Sequence, residues 1–251
     1  VLSDMGRYNE SAEAYGRAIE LQDDEYFSAT SWEMKGKALA AAGRQEEASE
    51  AYRMAIEEAD RAIARAKSNN KTAIDLNLSP AWNLKAQLLI DQGQYEEAIS
   101  ALDNATRADP DDAFTWTVMT DALSDYFGRY NDSIDACNRA LDIDPSNIGA
   151  LRCMGSALSS LGKYDEALGY YDRAIDADPK FARAWTGKAD VLRNLGKYNE
   201  SIKAYDEALK LQPGQPQYAL IGKGVVLDIL GRHKEAESAY NAALRGFDRV
   251  I

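Results

Sequence analysis

Side chains able to do chemistry are few in this sequence and scattered. His233 is the only histidine. General acid–base work would need a positioned partner within hydrogen-bond reach. His233 instead stands two residues after Gly231, at a place where five other glycines are followed by tyrosine. That pattern reads as packing. Gly222-Lys223-Gly224 lacks the strand and phosphate-loop context of a nucleotide site. Cys137 and Cys153 form neither a disulfide framework nor a metal motif, and they fit a reducing, cytoplasmic compartment. The acid pairs Glu46-Glu47 and Asp111-Asp112 fall at helix starts or loops, where dipole and solvation account for them. Asn9, Asn104, Asn131 and Asn199 open glycosylation-type triplets, three of which coincide with the repeat described below. The expectation is a chain with no catalytic, cofactor-binding or metal-binding residue, not an enzyme and needing no cofactor.

The chain has 251 residues and a net charge of −12. Nucleic-acid binding needs a basic face that releases counterions, so no nucleic-acid partner is expected. The longest apolar runs, such as Leu88-Leu89-Ile90, are far too short to span a bilayer, and no membrane association is expected. No basic-then-apolar leader opens the sequence.

These scattered residues sit on a periodic frame. Glycine recurs at Gly6, Gly43, Gly93, Gly128, Gly162, Gly196 and Gly231, mostly 34 or 35 residues apart. Two places later comes Tyr8, Tyr95, Tyr130, Tyr164 or Tyr198, with Gln45 and His233 as exceptions. Five places after each glycine stands Ser or Ala, nine places after usually Tyr, and twelve places after always Ala. Pro110, Pro145, Pro179 and Pro213 close the frame.

Each mark has a physical reason. Glycine tolerates positive φ and ends a first helix as its left-handed cap. Asn9, Asn131, Asp165 and Asn199 are placed to cap the N–H groups of a second helix, and Glu10, Glu166 and Glu200 suit its dipole. Small residues allow close helix approach, with tyrosine filling the gap beside them. Asp109, Asp144 and Asp178 precede proline, which drives them out of the helical region and stops the second helix. In the first helix, Trp32, Trp82, Trp116 and Trp185 share one place, filled by Leu151 and Leu220 in the other full repeats. A small residue or Thr follows at four and Leu at seven, one apolar stripe per helix.

The frame from Trp185 through Ala189, Leu192, Gly196, Tyr198, Ser201, Tyr205 and Ala208 to Pro213 resembles the tetratricopeptide repeat. It recurs six times in full and once in half. The resemblance implies an all-α fold, a right-handed superhelical solenoid of antiparallel helix pairs. It divides a single array over 1–251 into a partial repeat at 1–28, repeats at 29–78, 79–112, 113–147, 148–181 and 182–216, and a last repeat at 217–251. The second of these holds about 16 extra residues: its second helix keeps its apolar period to about Lys67, and an inserted helix-and-loop element occupies about 61–78. Ten extra helical residues would project about 15 Å, as a contact element or a tolerated insertion. The segment Leu123–Phe127 carries one residue more than its counterparts, a longer first helix or a bulge. Both ends of the sequence read as cut inside a longer protein.

The resemblance also implies a concave groove, lined by first helices, that holds a peptide or a partner helix. The places so assigned include Asn83, Gln87, Asp91, Asp121, Asp125, Arg152, Ser156, Arg183, Asp190, Arg193 and Asn194. Asp91, Asp121 and Asp125 make one stretch acidic; Arg152, Arg183 and Arg193 make the next basic and suit an acidic partner segment. The Lys and Asn set that chaperone-binding relatives use to clamp a carboxylate is not supplied by any three successive repeats. The function expected is a non-catalytic protein-interaction scaffold. The alternatives are a repeat arm of a larger enzyme, such as a glycosyltransferase, and a self-assembling piece joined end to end through uncapped termini.

Overall fold

The computed structural model describes residues 7–21, 25–68, 79–125, 128–211 and 217–247. Among these residues there are thirteen helices and no strand. The fold is an all-α helical-repeat solenoid, and it falls into two compact units, Val1–Ala122 and Leu123–Ile251. The first unit holds α1 (Tyr8–Glu20), α2 (Glu25–Ala41), α3 (Gln45–Ser68), α4 (Ser79–Asp91), α5 (Tyr95–Ala108) and most of α6 (Ala113–Asp125). The second holds α7 (Tyr130–Ile143), α8 (Ile148–Ser160), α9 (Tyr164–Ala177), α10 (Ala182–Asn194), α11 (Tyr198–Leu211), α12 (Gln217–Ile229) and α13 (His233–Phe247). Even-numbered helices carry the Trp place and are the first helices of their pairs.

The glycines end the first helices as the sequence requires. Gly162 has φ +76°; its N–H donates to the Ser159 carbonyl and the Lys163 N–H to that of Leu158, the paired bonds of a Schellman cap. The same pair of bonds forms at Gly43, Gly93, Gly196 and Gly231. Gly128 differs: the Arg129 N–H reaches one residue further back, to the Leu123 carbonyl at 2.9 Å. α6 has 13 residues, as α4, α8, α10 and α12 do, so the extra residue lies after the helix and not in it. Tyr126 and Phe127 are outside the described residues.

The expected N-caps are corrected. Asn9, Asn131 and Asp165 are the second residues of their helices, and the caps are Arg7, Arg129 and Lys163, with no side-chain cap bond. Asn199 likewise is the second residue of α11. The reason is the short connection: the residue after the glycine completes the Schellman turn and also supplies the first helical carbonyl, as Lys163 does for the Ala167 N–H. The Arg caps instead reach the acid three residues on, in Arg44–Glu47, Arg129–Asp132 and Arg232–Glu235.

Asp109, Asp144 and Asp178 are extended, with φ between −132° and −141°, as residues before proline should be. Their carboxylates do more than stop the helix. Each accepts the N–H two residues on, from Asp111, Ser146 and Lys180. The proline carbonyl then takes the indole N–H of the next first helix, from Trp116 to Pro110 at 2.8 Å and from Trp185 to Pro179 at 3.1 Å. At these two junctions the Trp and Pro marks are two halves of one contact.

Inside each unit the core is built mainly from alanine and leucine, and the second unit adds two buried tyrosines. Tyr171 on α9 is 4% exposed, and its ring lies against Gly155 on α8 and Gly187 on α10. Tyr205 on α11 lies against Gly222 on α12 in the same way. On the outer side, Lys85, Lys188 and Lys223 stand three places after the Trp place and pair with Asp60, Asp172 and Asp206 of the preceding second helix.

The long helix α3 has 24 residues, and its partner α2 begins at Glu25, earlier than the repeat boundary at 29. Both are lengthened at the end of the hairpin away from Gly43. Ala29, Ala55 and Ala59 are fully buried with Leu84 and Leu88, and Ile63 is buried as well. The extension therefore packs inside the unit as far as Ile63, where projection was one expectation. The loop expected to follow it lies outside the described residues.

Candidate functional site

In the first unit the exposed faces of α2, α4 and α6 enclose a cavity of about 550 Å³. Its lining includes Asn83, Gln87 and Asp91, together with Thr30, Glu33, Lys37, Leu84, Phe114 and Val118. All of these are first-helix side chains at repeat-related places. Lys37 pairs with Glu33 at 2.5 Å, and Gln87 donates to Asp91 at 3.2 Å. Partial burial would lower the Lys37 ammonium, but the hydrogen bond and charge of Glu33, with the charge of Asp91, outweigh it and hold Lys37 above its usual range. Phe114 is 63% exposed at the cavity edge. A wall that mixes one exposed ring, two amides and paired ions has both an apolar anchor and orienting polar groups, the composition of a recognition surface.

Asn83 is set more firmly than a solvent-facing contact would be. It is 9% exposed, and its amide nitrogen shares its two hydrogens among the oxygens of Ser79, Asp112 and Thr115. Asp112 Oδ2 accepts from Ser79, Asn83 and Thr115, while Oδ1 accepts the Phe114 N–H at the start of α6. Asn83 Oδ1 is buried without a hydrogen-bond partner. Asp112 was missed in the sequence, where it read as one of a solvated acid pair. The only signal was its place just before the α6 apolar pattern, an N-cap place. Asp121 is half-buried on α6, and the side chain of Asp125 lies outside the described residues.

In the second unit the assigned residues divide by what they already touch. Tyr205 donates to Asp190 Oδ1 at 2.6 Å, and Arg193 pairs with that same oxygen at 3.2 Å. Asp190 and Arg193 thus form a triad with a fully buried phenol. Burial and the neighbouring carboxylate push the Tyr205 hydroxyl far above its usual range. Ser156 hydrogen-bonds Tyr171 at the matching place on α8, and burial pushes the Tyr171 phenol up to about 12. Arg152 Nη2 lies 2.9 Å from Cys153 Sγ, and its charge acts on Tyr171. Arg183 and Asn194 are exposed, and Arg183 makes no side-chain hydrogen bond or ion pair among the described residues. Of the three arginines read as a basic stretch, Arg193 is ion-paired, Arg152 lies against Cys153 and acts on Tyr171, and Arg183 is the exposed one.

Other chemistry-bearing residues fall away from these faces. His233 is exposed, with Nδ1 2.9 Å from Asp228 Oδ1, and Tyr240 donates to Asp228 Oδ2 at 3.0 Å. The His233 bond, then that from Tyr240, holds the Asp228 carboxyl below its ordinary value. Cys137 and Cys153 are buried thiols that are not joined in a disulfide. No helix among the described residues is long and apolar enough to cross a membrane.

Models of the tetratricopeptide repeat match residues 1–70, 79–122, 154–216 and 187–249. The chain belongs to the tetratricopeptide repeat family. Among solved structures of this fold, MamA is 23% identical, with a TM-score of 0.54 over 65% of this chain and 95% of its own. MamA from Desulfovibrio magneticus RS-1 is 21% identical, with a TM-score of 0.56 over 68% of this chain and 96% of its own. PilW, a type IV pilus biogenesis factor, is 18% identical, with a TM-score of 0.67 over 84% of this chain and 90% of its own. A search of the curated proteins gave no match. These likenesses bear on the tetratricopeptide fold, so the function has to be argued from the faces themselves.

Proposed function

We propose that the chain is a non-catalytic protein-interaction scaffold that binds a peptide or partner protein along the exposed faces of its first helices. The observation that carries this reading is the first-unit cavity of about 550 Å³, where side chains of α2, α4 and α6 converge with Phe114 as an exposed anchor. Asn83, Gln87 and Asp91 orient the bound segment in that unit, with Asp121 and Asp125 extending the acidic stretch. Arg152, Ser156, Arg183, Asp190, Arg193 and Asn194 supply the corresponding row in the second unit. An acidic part of the partner sits beside Arg183, which is exposed and makes no side-chain pair among the described residues.

The test is selection of peptides from a displayed random library on the purified chain, followed by affinity measurements on variants. Gln87→Ala with Phe114→Ala removes first-unit contacts, and Arg183→Glu reverses the exposed charge. Each is expected to weaken selected peptides by about tenfold or more, since a few central contacts dominate binding. Peptides that bind all first-helix variants as tightly as the parent would overturn the reading.

A further inference from the structure

The last first helix differs from the others in one row of side chains. Tyr218, Ile221, Val225 and Ile229 stand two before, then one, five and nine after the Trp place. Their spacing of three, four and four puts them on one face of α12. All are exposed, at 80%, 39%, 36% and 52%. On α10, the neighbouring first helix, the same places hold Arg183, Thr186, Asp190 and Asn194. None of the other first helices has more than one large apolar residue in this row, Phe114 on α6 being the one case.

Repeat stacking does not explain the row. If these places served to pack one helix pair on the next, the interior first helices would be apolar there too, and they carry Asn, Gln, Arg, Asp and Ser. The residues that α12 buries against its own unit are others, Ala219, Gly222, Gly224, Val226 and Leu227 among them. The row spans eleven residues or so, about 16 Å of helix. A contiguous exposed apolar strip beside polar neighbours marks an interaction surface.

We infer that the α12 row docks an amphipathic helix of a partner protein, an inference that rests on the first-helix binding reading and gives it a partner chemistry. A helix carrying apolar residues at alternating three- and four-residue spacing matches the row side chain for side chain. Its flank lies toward the polar row of α10. There Asp190 and Arg193 neutralise each other, and Arg183, exposed and without a side-chain partner among the described residues, holds the repeat place that Tyr218 holds on α12. The docked helix therefore carries Asp or Glu on that flank, near the end that covers Tyr218.

The experiment uses the full chain and a displayed library of helix-forming peptides. Enriched peptides are expected to carry the three–four apolar spacing and a flanking acid. Val225→Glu and Ile229→Glu, with Ile229→Ser as a milder change, are expected to weaken them by about tenfold or more while circular dichroism stays unchanged. Arg183→Glu is expected to shift enrichment from acidic to basic flanks. Peptides that bind α12 variants normally but fail on Gln87→Ala or Phe114→Ala overturn this inference and leave the broader reading standing; insensitivity to every first-helix variant, or no enrichment at all, overturns both. Two further results overturn it by naming another occupant. One is a concentration-dependent dimer in sedimentation that Val225→Glu abolishes. The other is binding to phosphatidylcholine vesicles that the same change abolishes.

Discussion

Replacing Gly187 with alanine tests the packing that positions the second unit's first helices. In an open helix interior this change stabilises by about 1 kcal/mol, since glycine has the poorer helix propensity. At Gly187 the added Cβ would lie 2.4 Å from Cε1 and Cζ of Tyr171. Carbon atoms rest at about 3.5 Å or more, so the ring would have to retreat by about 1 Å. It has little room, because Tyr171 is 4% exposed and its other edge lies against Gly155. Overpacking of this kind costs about 1–3 kcal/mol, and here the upper part of that range applies. The net expectation is a loss of about 1–2 kcal/mol. Gly169, on the same unit's α9, has nothing within 4 Å of the place an added methyl would take, and Gly169→Ala is expected to gain about 1 kcal/mol. Urea denaturation followed by circular dichroism, with hydrogen exchange reporting on α10, measures both. In a Tyr171→Leu background the Gly187→Ala change should become neutral or stabilising, because the clash is gone. Equal stabilisation by both alanines in the parent chain would refute the steric reasoning, as would a Gly187→Ala cost that persists without the ring.

Asp112→Ala should destabilise the first unit by about 3 kcal/mol in the same denaturation assay, because it leaves buried hydroxyls on Ser79 and Thr115 and the Asn83 amide without their shared acceptor; a change below about 0.5 kcal/mol would show the network to be incidental. Alkaline titration probes the second unit. Tyr171 has its phenol raised from 10.0 to about 12, so folding favours the neutral form. Its contribution is full below pH 10 and is lost as pH rises toward about 12. Tyr171→Phe should flatten the fall in stability across that window, with Tyr205, raised in the same direction, keeping part of the slope. Phenolate absorbance recorded alongside unfolding checks it, and an unchanged slope would count against the buried phenol.

Much of this protein was written in local chemistry. Gly162 and its counterparts end first helices because only glycine tolerates positive φ without strain. Asp109, Asp144 and Asp178 stop second helices because proline follows them. The small-residue places and the tyrosines were legible as close packing, and Gly155, Gly187 and Tyr171 meet as that pattern requires. Local reasoning failed at Asn9, Asn131 and Asp165. Between α8 and α9 the connection is three residues long and leaves no separate cap place, so Lys163, the residue after glycine, served both helices.

Tertiary structure decided which of the first-helix residues are still free to act. The row containing Asp190, Arg193 and Arg183 was visible in the sequence as charge at repeat-related places. That Tyr205 reaches through to Asp190, which Arg193 also holds, while Arg183 stays exposed, depends on atoms brought together from separate helices. Asp112 passed for a solvated acid until α4 and α6 placed three donors around it. Periodicity fixes which face of a helix a residue occupies, because that follows from backbone geometry alone. Burial, pairing and exposure are properties of the neighbours, and only the packed helices supply them.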